Sequence, residues 1–128
     1  MAKYSRFWAV IFFFACITAI RAQHPGATPT KDQAFTTDAA EGGLGEVELG
    51  RLAATKATDT DVRTFGQMMV DDHSKANDEL RAIAKSKGLT FPSEPGTSQL
   101  GELAHLRTLS GANFDRTYID LMVMDHKN

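Results

Sequence analysis

The stretch MMVDDHSKAN, Met68 to Asn77, returns in shortened form at the end of the 128-residue chain as LMVMDHKN, Leu121 to Asn128. Pairing the copies sets Met69 on Met122, Val70 on Val123, Asp72 on Asp125 and His73 on His126, while Lys75 stands one place further along than Lys127. In each copy a methionine precedes the histidine by four residues, a spacing that puts both side chains on one face of an α-helix. Two helices bearing the same Met-Val-x-Asp-His element predict an all-α bundle made of two similar hairpins.

Helical periodicity spreads from the first copy in both directions. Thr58-Asp59-Thr60-Asp61 offers several N-caps with acids well placed for the helix dipole, and Gly88 suits a left-handed helix end. A helix over residues 59–87 follows, with Val62, Phe65, Met69, Ala76, Leu80, Ile83 and Ala84 as its apolar stripe. His73 lies on that stripe, Asp72 at its border, and Asp71 toward water. Upstream, Thr30 and Gln33 form a capping-box pattern that opens a helix over residues 31–57. Its stripe is small-sided: Phe35, Ala39, Gly43, Glu46, Gly50, Ala53 and Ala57, with Leu49 alongside. Each glycine there costs about 1 kcal/mol of helix propensity relative to alanine, which makes sense where another helix must approach closely. Glu46 is the carboxylate this stripe carries.

Downstream, Leu89 to Thr97 (LTFPSEPGT) reads as a loop. Ser98 then caps a helical piece over residues 98–109, with Leu100, Leu103, Ala104 and Leu106 apolar. Ser110-Gly111 makes a joint before a second piece over residues 111–127, which presents Phe114, Tyr118, Leu121 and Met122 on one side. His105 reads as a surface or half-buried residue.

Composition limits what such a bundle does. The chain is long enough for one ordinary domain. Its formal net charge is −2, but Lys3, Arg6 and Arg21 are the only charges in residues 1–22, so the rest holds 11 basic against 16 acidic residues. A mildly acidic body lacks the basic face that nucleic-acid binding needs. Residues 1–22 read as a signal peptide, with a basic start and the 14-residue apolar run Phe7 to Ile20. That run is shorter than the roughly 20 residues of a spanning helix. Cleavage is expected after Ala22, with Ala19 the alternative site and an uncleaved anchor the competing arrangement. Phe13-Phe14-Ala15 is a poor lipobox for Cys16. With the signal removed, the mature protein has no cysteine, and packing alone must hold it. A bacterial periplasmic or secreted address follows, with no membrane span after cleavage. Residues 23–30 (QHPGATPT) read as a flexible lead-in, with His24 a solvated tail residue.

The constellation with chemical meaning is Glu46, Asp72, His73, Asp125 and His126. Helical bundles hold metals with inward carboxylates and histidines from facing helices. Glu46, His73 and His126 are the candidate ligands here, with Met69, Met122, Asp72 and Asp125 as neighbours. The chain lacks Glu-x-x-His, since Val70 and Val123 stand three residues before the histidines. An adjacent Asp-His pair points about 100° apart around a helix, so Asp72 and Asp125 are better placed to cap or to orient an imidazole. Thioether beside imidazole suits copper better than iron or magnesium. Packing is the competing role, because methionines commonly fill cores. There is no G-x-S-x-G, phosphate-binding loop, dinucleotide fingerprint or cysteine nucleophile to suggest an enzyme.

The run from Ala39 to Pro92, with its Glu-x-x-x-Gly at Glu46 to Gly50 and its Met-Val-x-Asp-His, resembles a bacterial family of secreted ferritin-like domains. LSGANFDRTYIDLMVMDHK, Leu109 to Lys127, with Ser-Gly-x-x-Phe-Asp-x-x-Tyr at Ser110 to Tyr118, carries the same resemblance. The family is domain-of-unknown-function family 4142, often labelled an outer membrane protein. The resemblance extends from about Phe35 to the C-terminus. It implies a ferritin-like, up-and-down four-helix bundle in the periplasm, and no established activity. Relatives continue past the second Asp-His-Lys into a last helix, so the resemblance implies a bundle truncated after its third long helix. At about 25 cal/mol per Å² of apolar surface, such a loss would remove much of an ordinary stability, and self-association would be one way to recover it. Two functions follow as expectations. The first is a non-catalytic exported bundle acting by binding or by envelope and stress support. The second is a metal-binding or redox protein using Glu46, His73 and His126.

Overall fold

The computed structural model describes residues 30–127. The signal peptide read over residues 1–22, and the lead-in up to residue 29 with His24, lie outside the described residues. Four helices follow one another: α1 (Lys31–Lys56), α2 (Thr60–Lys87), α3 (Thr97–Thr108) and α4 (Gly111–Asp125). The described chain is an all-α bundle. None of its helices is long and apolar enough to cross a membrane.

The helix starts use the chemistry their sequences offer. Thr30 Oγ1 accepts the Gln33 N–H at 3.2 Å. Gln33 does not complete the capping box; its side-chain amide donates to the Thr90 carbonyl and accepts the Thr90 N–H, both at 2.9 Å. It thereby pins the α2–α3 loop to α1. Asp59 caps α2 through the N–H groups of Asp61 and Val62, and Gly88 ends that helix at φ 68°. The expected cap at Ser98 is not made. Gly96 occupies the N-cap of α3, and Ser98 instead donates from its hydroxyl to Glu102 Oε1 at 3.2 Å.

Long-range contacts fix the directions of the helices. Gln99 packs on Gly45, and Lys56 Nζ donates to the Arg107 carbonyl at 2.6 Å, so α3 runs alongside α1 in the same sense. Asp115, early in α4, accepts from the Thr58 N–H at 3.0 Å and the Asp59 N–H at 2.9 Å, and the other end of α4 reaches Glu46. The two pieces joined at Ser110-Gly111 therefore form a hairpin, with Gly111 at φ 56°. The helices alternate up and down, as expected, and α1 touches each of the other three.

Leu49, Leu106, Phe114 and Tyr118 are the largest wholly buried side chains, with Met69 and Met122 packed into the same core. The α1–α2 seam is narrow because glycines form it. A Cβ on Gly50 would stand 2.7 Å from the Gly66 carbonyl oxygen, and one on Gly66 would stand 2.8 Å from that of Gly50. The expected stripes are correct near this crossing and drift away from it. Phe35 is 66% exposed and Ile83 53% exposed, and Leu100 and Ala76 also face solvent. Thr36, Ala40 and Asn77 are buried instead. One position around a helix is about 100°, so a slight change in helix crossing exchanges neighbours between core and surface.

Candidate metal centre

Glu46 stands on α1 facing both repeated elements. The small stripe around it lets its carboxylate sit among the other helices, with 13% of its side chain exposed. His73, half-buried on α2, brings Nδ1 to 2.7 Å from Glu46 Oε2. His126, the C-cap residue of α4, brings Nε2 to 3.7 Å from Glu46 Oε1. One ligand atom from each residue lies within 4.8 Å of the others.

The two imidazoles face one another, with centroids 6.0 Å apart and planes at 74°. Phe65 and Tyr118 make a similar edge contact at 6.2 Å. Both pairs join residues 53 places apart in sequence, the offset of the internal repeat. The copies on α2 and α4 therefore lie parallel and in register, with equivalent side chains opposed.

His126 Nδ1 is 2.8 Å from the Met122 carbonyl oxygen. A carbonyl only accepts, so Nδ1 carries the proton of this bond, and Nε2 is the ring nitrogen turned toward Glu46. The ring is thus oriented by a backbone carbonyl, an arrangement common around metal-ligating histidines. Asp125, expected to cap or to orient an imidazole, acts on His126 through its charge, while the hydrogen bond of the ring goes to the Met122 carbonyl. Asp72 is exposed and acts on His73 through its charge.

The titrating groups record a concentration of negative charge. The hydrogen bond that His73 donates to Glu46 raises its pKa, burial opposes this, and the charges of Glu46 and Asp72 add to it. Burial raises Glu102, helped by the charges of Asp125 and Glu46 and opposed by the Ser98 hydrogen bond. Burial and then Glu46 raise Asp125, against the pull of His126. Carboxyls on α1, α3 and α4 thus lie in one another's fields. Glu102 Oε2 and the Tyr118 hydroxyl are buried with no hydrogen-bond partner among the described residues. Burial, followed by the Glu46 charge, pushes the Tyr118 phenol far above its ordinary range.

Neither Glu102 nor Tyr118 is among the candidate ligands that the sequence offers. Tyr118 reads there as a core aromatic, which it also is. Glu102 had one local signal, Ser98 four residues earlier. Its approach to Glu46 depends on the alignment of α3 with α1, which no spacing encodes.

Beside the imidazoles, α2 and α4 separate around a groove of about 580 Å³. Met68, Met69 and Met122 line it together with Phe65, Ile119 and Val123. His73, His126 and Asp72 complete its wall. A volume of this order and an apolar lining are typical of small-ligand sites.

The sequence model of the family described as Domain of unknown function (DUF4142) matches residues 18–128. No curated protein and no solved structure matches the chain.

Proposed function

The chain belongs to the DUF4142 family, a domain family of unknown function, and we propose that this member binds a transition-metal ion through Glu46, His73 and His126. The convergence of three ligand atoms, from three helices, within 4.8 Å carries this reading. One carboxylate and two imidazoles make a donor set suited to zinc, copper, iron or nickel rather than magnesium or calcium. Three protein ligands leave a further coordination position for water or a small ligand. The bound cation would also offset the crowded charge of Glu46, Glu102 and Asp125.

Export belongs to the same reading and rests on Lys3, Arg6 and the apolar run Phe7 to Ile20. The protein would bind its ion in the periplasm or outside the cell, in a binding or envelope-support role. Cell fractionation with N-terminal sequencing of the mature protein tests this address.

Calorimetric titration of the metal-stripped protein with Zn²⁺ and Cu²⁺ tests the site. One ion per chain is expected, with affinity reduced at least about 10-fold by His73→Ala or His126→Ala. Binding should weaken as pH falls, because the proton held on His73 competes with the ion. A folded protein indifferent to these ions would overturn the proposal and leave a bundle that acts on partners without metal.

A further inference from the structure

Met69 and Met122 pack in the core, yet a site of one carboxylate and two imidazoles makes no use of their sulfur atoms. Met69 lies one helical turn before His73, and Met122 one turn before His126; each is at most 4% exposed. Helical side chains lean toward the N-terminus, which carries each imidazole over the turn of its own methionine. The bond from His126 Nδ1 to the Met122 carbonyl is that lean in direct form. Both methionines line the groove that the two imidazoles also border, and Met68 joins them. Three thioethers and two imidazoles thus share one largely apolar wall, to which Asp72 alone contributes a carboxylate.

We propose that this end of the groove is a copper(I) site, with His73 and His126 supplying nitrogen and Met69 and Met122 supplying thioether sulfur. The inference rests on the metal-binding reading above and deepens it by naming the ion and a softer set of ligands. Thioether sulfur is neutral and polarisable, and among biological metal ions it favours copper(I). A monovalent ion is also less costly to remove from water than a divalent one, which suits a wall built from Phe65, Ile119 and Val123. Glu46, held against His73 at 2.7 Å, supplies compensating charge nearby. Zinc has little to gain from the sulfurs and would rely on Glu46 and the imidazoles. The same side chains therefore separate two kinds of ion by their sulfur dependence.

Met→Leu nearly conserves volume and apolar character, so it removes the sulfur while keeping the packing. The test uses the full, metal-stripped protein and its Met69→Leu/Met122→Leu variant. Each competes with a coloured copper(I) chelator under ascorbate, and each is titrated with Zn²⁺ in parallel. Circular dichroism checks that the variant is folded. The double variant should lose at least about 10-fold in copper(I) affinity, a difference of about 1.4 kcal/mol, with zinc affinity little changed. X-ray absorption of the copper(I) protein should show sulfur scattering that the variant lacks. Equal copper(I) affinity in the two proteins would overturn the proposal and return the methionines to packing. Zinc binding without copper(I) binding would overturn this inference alone, and failure to bind either ion would overturn the metal-site reading with it.

Discussion

Helix α2 has two sides built from opposite materials. Toward α1 it presents Gly66, and the two backbones meet where a side chain would otherwise stand. Toward α4 it presents Phe65, Met68, Met69 and His73, and an apolar groove opens between the helices. Glycine contact fixes a crossing through the sterics of rigid atoms, whereas long side chains hold helices apart and can rearrange around a guest. The molecule thus places its stiff seam behind its chemistry. Glu46 sits one turn before Gly50, and His73 two turns after Gly66, so the seam sets how carboxylate and imidazole meet.

The largest expected effect comes from closing the space in that seam. A Cβ on Gly66 would meet the Gly50 carbonyl oxygen and the Ala53 Cβ at 2.8 Å and the Ala54 nitrogen at 2.9 Å, two of them backbone atoms. Gly66→Ala should therefore cost about 2–3 kcal/mol in urea unfolding, despite the gain in helix propensity. Gly42 has nothing within 4 Å of such a Cβ. Gly42→Ala should instead stabilise by about 0.5–1 kcal/mol. Equal responses at the two positions would end the distinction between a seam that sets geometry and an ordinary helix face.

Glu46→Gln sharpens the comparison where seam and groove meet. Because Glu46 is the leading cause of the raised His73 pKa, NMR titration of the metal-free variant should find that imidazole titrating at lower pH. A histidine raised on folding stabilises the protein fully below its unfolded pKa of about 6.5, and this contribution fades as pH rises through the folded value. Metal-free wild type should therefore exceed the variant in stability more at pH 6 than at pH 8. An unchanged His73 titration would show that Glu46 does not govern the ring.

A smaller effect is expected at the far end of α4. Asp115 is held below its ordinary pKa first by the Thr58 hydroxyl, then by the Asp59 and Thr58 N–H groups and the Arg63 charge, against some burial. A depressed carboxylate stabilises the fold above its unfolded pKa and loses that contribution as pH falls through the folded value. Stability measured from pH 6 down to pH 3 should fall below about pH 4 in wild type, and this part of the fall should be absent in Asp115→Asn. If both proteins show the same acid profile, Asp115 does not fasten α4 to the α1–α2 turn through its charge.

Much of this arrangement is legible in the chain. The caps at Thr30 and Asp59, the stop at Gly88, the loop before α3 and the joint at Ser110-Gly111 depend on local backbone chemistry, and each appears close to its expected place. Glu46 and His73 were legible as inward residues because both lie on stripes that cross near the seam. Away from that crossing the stripes hold only in part: Ala84 is buried as expected, but Phe35 faces water and Asn77 is buried with its side chain against Gly43. Glu102 carries little signal in the sequence because α3 is short and its alignment with α1 is a tertiary fact. The repeat marks His126, but no spacing encodes its bond to the Met122 carbonyl.

By itself, then, the sequence determined the all-helical class, the helix limits to within about two residues and the repeated Met-Val-x-Asp-His element, because capping, propensity and periodicity act over a few neighbouring residues. Tertiary structure alone decided that the two copies lie parallel and in register, that Glu46 stands within reach of both histidines, and that Glu102 and Tyr118 bury polar atoms nearby. Those relations depend on how helices cross and turn about their axes, where a rotation of one residue, about 100°, exchanges a buried position for an exposed one.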